Sequence, residues 1–220
     1  MNPRRGSVQR STSETSIRLA LDLDGGERWI QVPGGFFHHM LDALTTHGGL
    51  GIELEAEGDT HIDLHHTVED VGIAFGEALH EALGERGGIH RFAHAYAPLD
   101  EALARAVVDL SGRGSFHWQV PEDLRQVWVT QDFPLSLVAD FFEAVADRGR
   151  LTLHLTILSG RNGHHAAEAA FKAVALALRQ AVALRQAPAQ VQGAPQGAVG
   201  SPEGEAAAAE VPSTKGTLSR

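Results

Sequence analysis

Two stretches, "HHTVED" at residues 65–70 and "HHAAEA" at residues 164–169, each set a pair of adjacent histidines three residues ahead of a glutamate. On a helix neighbouring side chains diverge by roughly 100°, so His65 and His66 do not grip one ion together, and neither do His164 and His165. Glu69 and Glu168 lie between the two histidines in angle and near both. The reading that follows is that the histidines of each pair serve two different metals, with other elements or other subunits completing each site. His39 and Asp140 stand at matching positions ahead of the two motifs and are the candidate extra ligands. Imidazole with carboxylate and no thiolate suits Mn, Fe or Zn in octahedral or expanded geometry better than a closed structural zinc cage. A pattern of this kind is otherwise a solvent-facing helix start, and its recurrence in a duplicated frame weighs against that.

A set of cations stands apart: Arg91 after "GGIH", Arg113 in "LSGR", Lys172 in the second long helix and Lys215 in "STKG". Each alone reads as a solvated surface charge. Together, in an acidic chain, they would suit an anion such as phosphate, with Ser213 adding a hydroxyl donor. Glu14 precedes the first apolar strand, where a cap or surface role is ordinary. His47 in "TTHGG" sits where a histidine simply ends a helix favourably. Near a metal site a histidine also moves protons, because its pKa lies close to neutrality. Spacing leaves both alternatives open for these two residues.

The elements that position these groups are legible in the periodicity. "SIRLALDLDG" (16–25) alternates and ends in a turn, a strand; "FFHHMLDALTTHGG" (36–49) has helical spacing closed by glycine. "LGIELEAEGD" (50–59) reads as strand and turn, "THIDL" (60–64) as a second short strand, and residues 65–88 as a long amphipathic helix. "ALARAVVDLSGR" (102–113) and "FHWQV" (116–120) alternate like strands, and then helix, strand and long helix recur over 140–150, 151–158 and 164–184. The expected fold is α+β: two duplicated half-domains, each a small mixed sheet with helices packed on one face. The expected divisions are a flexible N-terminus at 1–10, half-repeats at 11–98 and 99–186, an Ala/Pro/Gly-rich linker at 187–210 and a tail at 211–220.

Composition bounds the rest. The chain has 220 residues, 43% apolar and 21% charged, and a formal charge of -10. That is the make-up of a soluble globular protein. The charge argues against a nucleic-acid partner, since phosphate-backbone affinity comes from clustered Lys and Arg. No run approaches the roughly 18 apolar residues of a membrane span, the start is no secretory signal, and zero cysteines exclude disulfides and thiolate metal sites. A cytoplasmic location is compatible with all of this.

Taken together, "RSTSETSI", "GGFFHHMLDALTTHGG", "DLHHTVEDVGIAFGEAL", "GIHRF", "LDEALARAVVDLSGR", "NGHHAAEAAFKA" and "PSTKG" resemble the imidazoleglycerol-phosphate dehydratase family of histidine biosynthesis. The resemblance runs from about residue 8 to the end, interrupted by the linker. It implies a duplicated α+β fold assembling through trimers into a 24-subunit homo-oligomer, with two Mn(II) ions per active site at subunit contacts. The implied metal ligands are His39, His65, His66, Glu69, Asp140, His164, His165 and Glu168. Asp140 stands where the family has histidine, and a carboxylate oxygen is a good ligand for hard Mn(II). His38 stands where the family usually has Asp, beside a ligand, where a supporting hydrogen bond is altered.

The implied reaction is loss of water from D-erythro-imidazole-glycerol phosphate, a small phosphorylated imidazole, giving imidazole-acetol phosphate. Metals on the ring nitrogens would favour the imidazolate and let the ring expel the hydroxyl. The resemblance assigns Glu168 and His47 to proton transfer, Glu14 to the neighbourhood of the glycerol chain, and Arg91, Arg113, Lys172, Ser213 and Lys215 to the substrate phosphate. A fused phosphatase carried by some family members has no room here, so a monofunctional hydro-lyase is expected. Two alternatives are a non-catalytic metal-binding assembly protein of the same fold, for which the phosphate set has no use, and a phosphate-ester hydrolase, which usually needs a carboxylate-rich two-metal centre.

Overall fold

The computed structural model describes residues 3–185 of the chain. Its first half runs β1 (Arg5–Ser11), β2 (Thr15–Asp22), β3 (Arg28–Gln31), α1 (Gly35–Gly48), β4 (Gly51–Gly58) and α2 (His65–Leu83). Its second half runs β5 (Phe92–Leu99), β6 (Ala102–Asp109), β7 (Ser115–Gln119), a 3-10 turn at Glu122–Leu124, α3 (Ser136–Arg148), β8 (Thr152–Ser159) and α4 (Gly163–Val182). The sheets have the same order, β1-β2-β4-β3 and β5-β6-β8-β7, and in each the last pair alone is parallel. The duplication read from the histidine motifs is therefore a duplication of the whole topology.

Each sheet turns alternate residues inward. Ile17, Leu19 and Leu21 of β2 are buried, as are Ala104, Ala106 and Val108 of β6. Between the sheets the helices form a middle layer, and they pair across the halves: α1 packs on α4 and α3 on α2. Phe37 of α1, Phe75 of α2 and Phe171 of α4 all pack their rings on Phe141 of α3, at centroid distances of 5.8, 6.3 and 5.4 Å. One aromatic ring thus joins all four helices. Small residues set the spacing. A Cβ on Gly72 or Gly76 of α2 would lie 2.7 Å from the Phe141 carbonyl oxygen or 2.8 Å from Arg148 Cβ. Arg86, 3% exposed, crosses from the first half to donate to the carbonyls of Gly149 and Arg150 just past α3, at 2.9 and 2.8 Å.

Four expectations need correcting. The start of the chain is not loose: Arg5–Ser11 is an edge strand paired with β2 along its length. Its pattern is hard to read because the residues it turns inward besides Val8 are Arg10, which pairs with Asp70 of α2, and Gly6, whose added Cβ would lie 2.0 Å from the Ala78 carbonyl oxygen of α2. Residues 60–64 are turn rather than strand: Thr60 N–H donates to Gly58 and Ile62 N–H to Asp59, leaving Ile62 exposed. The second half begins before 99, because β5 pairs with β6 in the second sheet. Strand β5 turns alanines inward and Phe92 and Tyr96 outward, the reverse of the usual apolar signal. Strand β3 is short, mostly exposed and was not anticipated. The linker at 187–210 and the tail at 211–220, with Ser213 and Lys215, lie outside the described residues.

Candidate metal centre and active site

Both histidine motifs open a helix. Asn162 caps α4, its side-chain oxygen accepting the His164 N–H at 2.9 Å, and Asp63 accepts the His65 N–H at 2.7 Å. These bonds satisfy donors that a helix start leaves open and fix where each pair begins. Cross-packing of the halves then decides what the pairs meet. Because α1 lies on α4, His39 of the first half meets His164 and Glu168 of the second. His39 Nε2 and His164 Nε2 each lie 3.2 Å from Glu168 Oε2. The potential ligand atoms of these three residues all fall within 4.8 Å of one another. Phe36 packs edge-on against the His164 ring at 5.0 Å, limiting its rotation.

The pseudo-symmetric place on α2 and α3 holds the looser group. His65 Nδ1 lies 3.5 Å from Asp140 Oδ2, and His65 Nε2 lies 3.8 Å from Glu69 Oε2. These residues line a groove of ≈ 390 Å³ with Glu143 and Asp147, which reaches Gly114 next to Arg113. Burial pushes the Asp140 carboxyl up, Glu69 and Glu143 push the same way, and His65 opposes. A cation would relieve that crowding of carboxylates. Glu168 goes the other way. Burial alone would raise its carboxyl, but hydrogen bonds from Lys172 and His39 outweigh it and hold it below the usual range. Lys172 Nζ sits 2.5 Å from Glu168 Oε1, leaving Oε2 to the histidines.

His66 and His165 turn away from both groups, as neighbours on a helix must. His66 Nδ1 lies 3.0 Å from Asp59 Oδ2 and 3.8 Å from Glu14 Oε2, and the bond to Asp59 raises the His66 pKa. His165 Nδ1 lies 2.8 Å from Glu101 Oε2. That bond, helped by backbone N–H donors from Arg161 and Asn162, lowers the Glu101 pKa to about 2. Asp100, Glu101 and His165 form a second close group of possible ligand atoms. Sequence reading missed Asp59 and Glu101 as partners of the site, because neither is on a helix with its histidine.

The remaining candidates are spread along the molecule. His47 ends α1, about 12 Å from His39 along the helix axis. Arg91 ion-pairs with Asp109 at 2.7 Å and lies over the Phe92 ring at 4.4 Å. Its N–H donates to Ala181 near the end of α4, about 25 Å along that helix from His164. Arg113 is exposed in the turn after β6, whose last residue is the Asp109 that holds Arg91. One chain therefore separates Arg91 from His39, His164 and Glu168 by more than a small phosphorylated imidazole spans. His38 is exposed beside His39. A hollow of ≈ 780 Å³ on the outer face of the first sheet between Arg5, Asp22, Trp29 and Glu53 contains none of these residues. It is the concavity of a twisted sheet.

A sequence model of imidazoleglycerol-phosphate dehydratase matches residues 33–178. The chain is 49% identical over 216 residues to the imidazoleglycerol-phosphate dehydratase of Acidiphilium cryptum, covering 98% of this chain and 99% of that one. It is 53% identical over 180 residues to that of Gluconobacter oxydans, covering 81% of this chain and 89% of the relative. Among solved structures, the imidazoleglycerol-phosphate dehydratase of Staphylococcus aureus superposes with a TM-score of 0.72 at 35% identity, over 82% of this chain and 99% of that one. The enzyme from Pyrococcus furiosus, solved in complex with (S)-C348, superposes with a TM-score of 0.73 at 32% identity, over 96% of this chain and 100% of that one. Matched along nearly its whole length, with the duplicated fold and both histidine pairs in place, the chain belongs to the imidazoleglycerol-phosphate dehydratase family of hydro-lyases.

Proposed function

We propose that the chain removes water from D-erythro-imidazole-glycerol phosphate to give imidazole-acetol phosphate, a step of L-histidine biosynthesis, using two Mn(II) ions per active site. The observation that carries this reading is the pair of imidazole–carboxylate groups, each drawn from both halves, with His66 and His165 facing away from them. His39, His164 and Glu168 would hold one ion and His65, Glu69 and Asp140 the other. His66 and His165 of neighbouring copies would complete them. Nitrogen and carboxylate oxygen donors without sulfur fit Mn(II). When bound, such ions act as Lewis acids that polarise the substrate ring and stabilise its deprotonated form.

The protein's own groups have separable tasks in this account. Glu168, kept ionised beside Lys172, offers one oxygen to the metal side and one to a proton relay. Glu14, half exposed near His66, takes the proton-transfer position closest to the outward imidazole, and His47 supplies a titratable group along α1. Arg91 and Arg113, with Lys172, Ser213 and Lys215, would bind the phosphate. The separation of Arg91 from His164 within one chain supports an active site built between copies, in a cytoplasmic homo-oligomer of trimers up to 24 subunits.

The test is to strip the protein of metal, add back Mn(II) and assay water loss from imidazole-glycerol phosphate. Ketone product is expected. Release of inorganic phosphate would replace this reading with a hydrolase. Metal uptake without turnover would replace it with an assembly protein.

A further inference from the structure

The strand registers superpose the two halves, apart from one irregularity in β8 beside Ala104. In the first sheet Ile17 faces Ala56, and in the second Ala104 faces Ile157. Continued to the starts of β2 and β6, the same register lays Glu14 on Glu101; β8 carries one extra residue at the irregularity, and past it Asp59 lies on Arg161. Local contacts agree: Asp59 N–H donates to the Glu14 carbonyl at 3.1 Å, and Arg161 N–H donates to Glu101 Oε1 at 3.3 Å. The halves thus face one problem, holding an outward histidine, with different residues.

In the second half Glu101 accepts from His165 Nδ1–H at 2.8 Å, and Arg161 occupies the place of Asp59. In the first half Asp59 accepts from His66 Nδ1–H at 3.0 Å, while Glu14 stays back at 3.8 Å with its side chain 51% exposed. An ionised carboxylate is an acceptor, so Nδ1 must carry the hydrogen and Nε2 the lone pair. Neither His66 Nε2 nor His165 Nε2 has a hydrogen-bond partner among the described residues, and Asp100 Oδ2 lies 3.8 Å from His165 Nε2. Two unrelated carboxylates reaching the same ring nitrogen point to a requirement on the histidine rather than to a shared ancestry of the contact.

We infer that Asp59 and Glu101 are positioning residues: each fixes the outward histidine of its half with the Nε2 lone pair presented to a divalent cation. Because Asp59 has taken this task in the first half, Glu14 is released from it and its carboxylate is left for substrate. Holding Nδ1–H also raises the basicity of Nε2 and removes the cost of choosing a tautomer when the cation arrives. The inference rests on the proposed metal-binding reading, and the experiment separates the two.

Mn(II) binding to the metal-stripped protein is measured by titration calorimetry for wild type, Asp59→Asn, Glu101→Gln and Glu14→Gln, with the metal-free melting temperature of each. Asp59→Asn and Glu101→Gln are expected to weaken Mn(II) binding by about 10–100-fold at unchanged metal-free melting temperature. Glu14→Gln is expected to keep wild-type affinity while losing turnover. Wild-type affinity in both Asp59→Asn and Glu101→Gln would overturn the positioning role and leave the metal sites standing. Loss of affinity together with a lowered metal-free melting temperature would overturn it too, in favour of a fold-holding role. A wild type that binds no Mn(II) would overturn the metal-site reading itself.

Discussion

Glu168 carries more of the account than any other side chain, since it faces two imidazoles with one oxygen and Lys172 with the other. Glu168→Gln keeps its volume and removes its charge. We expect kcat/KM to fall by at least about 100-fold, the lower end of the range for one acid–base group, with little change in the metal-free melting temperature. Asp140 makes a complementary test. Asp140→Ala should cost the α2–α3 group its ion, read as about half the Mn(II) per chain, whereas Asp140→His should keep it, since imidazole replaces carboxylate as donor. The ligand candidates were legible at this scale because paired histidines with a glutamate recur in one frame. Asp59 and Glu101 were not: a separation of 64 residues hides the contact between Glu101 and His165. Only the strand register reveals that Glu101 duplicates Glu14.

At the scale of elements, the site depends on α1 lying on α4 and α3 on α2. Gly72 and Gly76 let α3 come close, so Gly76→Ala should destabilise by about 1–3 kcal/mol through overpacking. Phe141 joins all four helices, and Phe141→Ala should cost about 3–5 kcal/mol. Arg86→Met should cost about 2–4 kcal/mol, because it leaves the carbonyls of Gly149 and Arg150 without their buried donor. Chemical denaturation of the metal-free protein measures all three. The long helices and β2, β4, β6 and β8 were readable because each buries an alternating or helical apolar face. Strands β1 and β5 were not, because Gly6, Ala95 and Ala97 pack helices closely with small side chains. The pairing of helices across the halves had no sequence signal either. It is a choice made by packing, and it is what brings His39 to the opposite half.

At the scale of the whole molecule, His66 and His165 look outward while Arg91 lies far along α4 from the ligand groups. On the proposed reading a single copy would hold parts of several sites and no complete one, which predicts that metal content and assembly are linked. No helix among the described residues is long and apolar enough to cross a membrane. The most direct test is a crystal grown with Mn(II) and measured at the manganese absorption edge. The account predicts one anomalous peak among His39, His164 and Glu168 and one among His65, Glu69 and Asp140, each also touched by His66 or His165 Nε2 of a neighbouring copy. Peaks absent from both places, or His66 and His165 facing solvent away from any peak, would contradict it.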